Sequence, residues 1–128
     1  MIEKKIIPAV LSFNEKVIKE SFALFDGVAE WLQLDVADGQ FVNNITCRPH
    51  LFANILKQSQ LELHLMVANP LAWLSESVEV KAKRVYIHLE TNFSLETIES
   101  FKQKGIEVFL ALNPETPLEV FLPYKDFV

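Results

Sequence analysis

The feature that most constrains the fold is a period of apolar residues that switches repeatedly between two and about 3.6. Over residues 31–36, Leu32, Leu34 and Val36 alternate with Gln33 and Asp35, the signature of a strand with one polar-bearing face. Residues 5–11 read as an earlier short strand, with Pro8 demanding an edge position or a local distortion. Between them, Ser12 and Glu15 form a capping-box pattern. Val17, Ser21 and Leu24 beside Ile18, Phe22 and Phe25 then give a helical stripe that Gly27 ends.

The alternation continues. After a loop through Asn43, Asn44 and Thr46, Pro49 opens a helix carrying Leu51, Phe52, Ile55 and Leu56 as far as Gln58. Residues 61–67 form a third strand, with Glu62, His64 and Met66 opposite Leu61, Leu63 and Leu65. Asn69-Pro70 starts a helix with Leu71, Leu74 and Val78 as its stripe, and residues 84–90 form a strand whose polar face is Tyr86, His88 and Glu90. Ser94 caps the helix of Leu95, Ile98 and Phe101, which Gly105 closes. A fifth strand over 106–112, a short helix from Thr116-Pro117 to about Leu122 and the start of a sixth strand at 126–128 complete the expectation.

Strands alternating with helices through short connections point to a parallel sheet. Strands of a doubly wound sheet are buried on both faces and read as continuous apolar runs, whereas these carry polar residues on one face toward their C-terminal ends. That pattern fits the mouth of a barrel. The expected fold is therefore α/β, a TIM (β/α)8 barrel of which the chain covers about five βα units and the start of a sixth strand. Residues 1–128 form a single domain. Such barrels do their chemistry where the strands end, which gathers Asp35, His64, His88, Glu90 and Asn113. The three glycines, 27, 39 and 105, are isolated, so no glycine-rich nucleotide loop is present.

Composition narrows the partners. A net charge of −5 and a pI near 5.2, with Lys and Arg scattered singly, argue against a nucleic-acid partner. The sequence shows neither a secretory leader nor an apolar run long enough to span a membrane, so a cytoplasmic protein without a membrane partner is expected. Cys47, the only cysteine, forms no internal disulfide and reads as a small, partly buried residue.

Asp35 and His64, on neighbouring strands and one face, are ordinary ligands for zinc, manganese or iron; the alternative is that they bond each other or loop amides. Asp38 precedes Gly39 in a turn, where an Asp bonds its own backbone. His88 and Glu90 read either as support behind a ligand or as a polar rim. His50 is expected at the surface, and Met66 and Tyr86 in packing.

Several stretches together are specific. Residues 7–12 (IPAVLS), 33–42 (QLDVADGQFV), 63–70 (LHLMVANP), 88–90 (HLE) and 111–119 (ALNPETPLE) resemble, in order and spacing, the ribulose-phosphate 3-epimerase family. The resemblance implies a TIM barrel that interconverts ribulose 5-phosphate and xylulose 5-phosphate. One aspartate removes the C3 proton, a divalent metal (Zn, Mn or Fe) holds the enediolate oxygens, and a second aspartate returns a proton to the opposite face. Carried over, Asp35 is the catalytic acid-base group and a metal ligand, His64 a second ligand, and Met66 part of the apolar wall. Met66, Asp38 and Ala9, which holds the place of the family serine, are the substrate-binding candidates.

Four positions depart from the family. Gln33 stands where the family has a metal-binding histidine, and an amide oxygen coordinates more weakly than imidazole. Ala9 replaces the serine, Ala37 a methionine of the wall, and Gln40 a common histidine. The second aspartate and the phosphate loops belong to the family's last strands, so the chain is expected to be the N-terminal portion of a longer barrel. A sugar phosphate is the expected partner, and a homo-oligomer is consistent with the family. The alternatives are a non-catalytic relative that binds a sugar phosphate or a protein, and an epimerase for a different ketose phosphate.

Overall fold

The computed structural model describes residues 3–128. Its sheet has five parallel strands in sequential order: β1 (Ala9–Val10), β2 (Trp31–Ala37), β3 (Gln60–Met66), β4 (Arg84–His88) and β5 (Glu107–Ala111). A doubly wound sheet reverses strand order at a switch point; this one never does, as in the wall of a TIM barrel. The helices are α1 (Glu15–Phe25), α2 (Leu74–Glu79) and α3 (Leu95–Gln103).

The strand alternation sorts the two faces as the sequence implies. Leu32, Leu34 and Val36 of β2, Leu61, Leu63 and Leu65 of β3, Val85 and Ile87 of β4, and Val108 of β5 share one core with Ile18 and Phe22 of α1 and Ile98 and Phe101 of α3. Each such side chain contributes about 1.5–3 kcal/mol relative to exposure. The opposite face is laid out in register. Ala9 aligns with Gln33, Gln33 with Glu62 and Glu62 with Arg84; one layer nearer the strand ends, Asp35 aligns with His64, His64 with Tyr86 and Tyr86 with Phe109. A one-residue slip in any strand would send these side chains into the apolar core, so the leucine ladder fixes the site's register.

Several local expectations differ from the structure. Asn14, not Ser12, caps α1, its side chain accepting the Lys16 N–H at 3.0 Å, while Ser12 Oγ accepts from Asn14 N. The helix expected over 49–58 is a single 3₁₀ turn, Pro49–Phe52. Asn54 beyond it has a left-handed φ of 61°, and the Asp26 carboxylate takes the N–H groups of Lys57, Gln58 and Ser59 that helical carbonyls would otherwise accept. The helix after Asn69 begins as a 3₁₀ turn (Pro70–Trp73), and its buried residues are Pro70, Trp73 and Ser77, so the stripe is rotated away from Val78.

The first strand is only two residues long, although the Pro8 carbonyl still accepts Gln33 N–H at 2.9 Å. The fourth ends at His88, whose carbonyl takes both the N–H and the hydroxyl of Thr91 in a turn. Residues 118–124 form a 3₁₀ helix, Leu118–Tyr124, and among the described residues 126–128 are not the start of a sixth strand: Phe127 N–H bonds the Tyr124 carbonyl in a local turn.

Candidate active site

β2, β3 and β4 deliver Asp35, His64 and His88 to one patch at the strand ends. Asp35 Oδ1 lies 3.2 Å from His64 Nδ1, and His64 Nε2 lies 2.7 Å from His88 Nε2. The two imidazole planes are 21° apart with centroids 5.0 Å apart, so the nitrogens meet nearly edge to edge, suited to an N–H···N bond. Asp35 and His64 are mostly shielded, their side chains 15% and 24% exposed, so their interaction is little screened by water.

His88 is buried. Burial lowers its pKa and neighbouring His64 lowers it further, against the opposite pull of Glu90. Its Nδ1 is 3.4 Å from Glu90 Oε2 and has no hydrogen-bond partner. Burial alone would raise Glu90, but hydrogen bonds from the Thr116 hydroxyl and the Asn113 N–H outweigh it and hold the carboxyl below its ordinary value. The Asn113 bond is 2.6 Å long, so the Asn113-Pro114 turn anchors Glu90.

Gln33, expected as a weak metal ligand, instead donates its Nε2 amide to Asp35 Oδ1 at 2.8 Å. An amide in that orientation offers Asp35 a proton, not a lone pair to a cation beside it. Asp38 spends its carboxylate on the backbone: Oδ1 accepts Gln40 N–H and Phe41 N–H, and Oδ2 accepts Ala68 N–H just past β3. Desolvation opposes ionisation there, yet those bonds prevail and the pKa is lowered. This clamp, with Thr46 bonded to the Ala37 backbone, holds the loop that sets the Phe41 ring 5.0 Å from His88.

Met66 is half-buried and aligned with Ala37, while Ala9 is exposed on β1 beside Gln33. His50 lies at the surface, 3.0 Å from Glu76. Cys47 is partly buried, which raises its thiol pKa.

Below this layer lies a cluster that the sequence pattern did not reveal. Glu62, fully buried, accepts a 2.6 Å bond from Arg84 Nε, and the Arg84 guanidinium sits 3.6 Å from the Trp31 ring centre. These ionic residues lie on the strand face that carries the site, and the cation–π stack covers them from solvent. Alternation alone marked the positions as polar but could not pair them.

Among the described residues, no three His, Cys, Asp or Glu side chains are grouped as a metal site. The donor pair is Asp35 Oδ1 and His64 Nδ1, whose 3.2 Å separation matches adjacent ligands each about 2.1 Å from one ion. They fit a cation with two ligands from this chain and its other positions open. No helix among the described residues is long and apolar enough to cross a membrane.

Comparison with known proteins places the chain in a family. Residues 5–127 match the ribulose-phosphate 3 epimerase family. A ribulose-phosphate 3-epimerase of Aquifex aeolicus (strain VF5) is 33% identical over 98% of this chain and 60% of its own length. One of Eremothecium gossypii is 31% identical over 98% and 60%, and a cytoplasmic isoform of Oryza sativa subsp. japonica is 32% identical over 95% and 56%. The chain thus spans about half to three-fifths of the length of the curated relatives it matches. With the sequential parallel sheet and acid–imidazole cluster at its strand ends, this match establishes that the chain belongs to the ribulose-phosphate 3-epimerase family.

Proposed function

We propose that this chain carries the proton-abstraction half of a C3 epimerisation of ribulose 5-phosphate to xylulose 5-phosphate. The observation that supports the reading most is the Asp35–His64 contact, which places a shielded carboxylate beside an imidazole at the end of two neighbouring strands. Asp35 takes the C3 proton as general base, the C–H electron pair becomes the C2–C3 double bond, and the carbonyl π pair moves onto oxygen as the enediolate forms. Gln33 holds one carboxylate oxygen in place, leaving Oδ2 to meet the substrate. Asp35 and His64 would hold a divalent metal, zinc, manganese or iron, which when bound supplies positive charge for the developing oxyanion. Met66 provides apolar wall over the reacting carbons, Ala9 lines the substrate side of β1, and Asp38 shapes the loop above.

Proton return on the opposite face is assigned to no residue of this chain. We place the reaction in the cytoplasm, in keeping with the cytoplasmic isoform among the relatives, and take the working form to be a homo-oligomer. The loss of a family histidine at Gln33 and of wall and serine side chains at Ala37 and Ala9 favours one competitor, a relative that binds the sugar phosphate without turnover. Incubation with ribulose 5-phosphate and zinc or manganese in heavy water separates them. Deuterium at C3 supports the epimerase, and binding without exchange supports the competitor.

A further inference from the structure

Four side chains form an unbroken row across the strand ends. Asp35 Oδ1 faces His64 Nδ1 at 3.2 Å, His64 Nε2 faces His88 Nε2 at 2.7 Å, and His88 Nδ1 faces Glu90 Oε2 at 3.4 Å. With both rings neutral, each carries one ring proton, so two protons serve three contacts. One contact therefore lacks a proton: in the middle it would oppose two ring lone pairs 2.7 Å apart, and at either end a ring lone pair and a carboxylate. At the Glu90 end that conflict would be buried, because His88 Nδ1 has no other partner and no access to water. At the Asp35 end, a divalent cation between the two groups turns the same conflict into two metal–ligand bonds.

We infer that His88, backed by Glu90, is a positioning residue for metal capture: its Nε2 lone pair accepts the His64 Nε2–H and so turns the His64 Nδ1 lone pair toward Asp35. The inference rests on the metal-assisted reading above. His88 then points Nδ1–H at the Glu90 carboxylate 3.4 Å away, no lone pair is set against a carboxylate except across the cation, and each ring keeps its single proton. The surroundings hold this geometry. Glu90 is anchored by the Asn113 N–H, Phe41 packs against His88, and Tyr86 meets the His64 ring edge-on at 6.5 Å. A metal-bound histidine commonly has its second nitrogen fixed in this way, and losing such a partner weakens binding about 10- to 100-fold.

The test is zinc affinity of the purified protein by competition with a chelator, with circular dichroism to confirm the fold. It compares wild type with His88→Ala and His88→Gln, since the glutamine carbonyl can still accept the His64 Nε2–H. Expected is a loss of about 10- to 100-fold in His88→Ala and its recovery in His88→Gln. Nitrogen-15 spectra of the zinc-loaded wild type should show His64 protonated at Nε2 and His88 at Nδ1. Undiminished affinity in folded His88→Ala, or zinc-loaded His64 protonated at Nδ1, overturns the positioning role and leaves the epimerase reading intact. Should His88→Ala not fold, the spectra of the wild type decide. Wild type that takes up no zinc contradicts this role and the metal-assisted reading together, whereas zinc uptake without C3 exchange contradicts the epimerase reading alone.

Discussion

His64 Nε2 and His88 Nε2 face each other 2.7 Å apart, edge to edge, across two adjacent strands. The contact extends the Asp35 site by one strand and links it to Glu90 beyond β4. The site is thus a row crossing the sheet, and its chemistry depends on which gap in the row lacks a proton.

Gln33→His would place an imidazole at the position where the family resemblance implies a metal-binding histidine. The substitution removes the amide donor to Asp35 and supplies a stronger donor to a cation. Zinc affinity should rise on the order of tenfold or more, measured by chelator competition. Unchanged affinity would show that position 33 does not face the metal.

Asp38 ties the loop after β2 to the end of β3 through three backbone N–H groups. Its pKa is lowered in the fold, so its stabilising contribution is fully present above the unfolded value near pH 4 and disappears as pH falls through the lower folded value. Asp38→Asn should cost about 1–3 kcal/mol at pH 7, and the gap between variant and wild type should narrow below about pH 4. Thermal melts across pH check both parts.

Glu62, fully buried, pairs with the mostly shielded Arg84 under the site. Removing one partner leaves an unpaired charge, so Arg84→Met should destabilise by about 3–5 kcal/mol. The double variant Glu62→Leu with Arg84→Met should recover most of that loss. Urea midpoints of the three proteins measure the difference, and an additive double variant would contradict the pairing.

Much of this was legible in the sequence, for a simple reason. The leucines at 32, 34, 61, 63 and 65 alternate strictly, and strict alternation fixes both face and register once strands pair in parallel. That alternation places Asp35 and His64 on one face, and the structure puts them in contact. What could not be read depended on contacts distant in sequence. The helix expected after Pro49 has the right apolar spacing, yet Asp26, some thirty residues earlier, captures its amides. The roles of Gln33 and Asp38 turn on which atoms point where, and residue type alone leaves that open. The Glu62–Arg84–Trp31 stack escaped because periodicity marks a position as polar without naming its partner.

In the proposed reaction it is Asp35 that takes the C3 proton of ribulose 5-phosphate, and the role is open to direct measurement. It is tested most directly by following deuterium incorporation at C3 in heavy water with zinc present, for wild type and Asp35→Asn side by side. Wild type should incorporate deuterium, with a loss of about 10²- to 10⁴-fold in a variant whose circular dichroism is unchanged. A folded Asp35→Asn protein that exchanges C3 hydrogen as fast as wild type would contradict it.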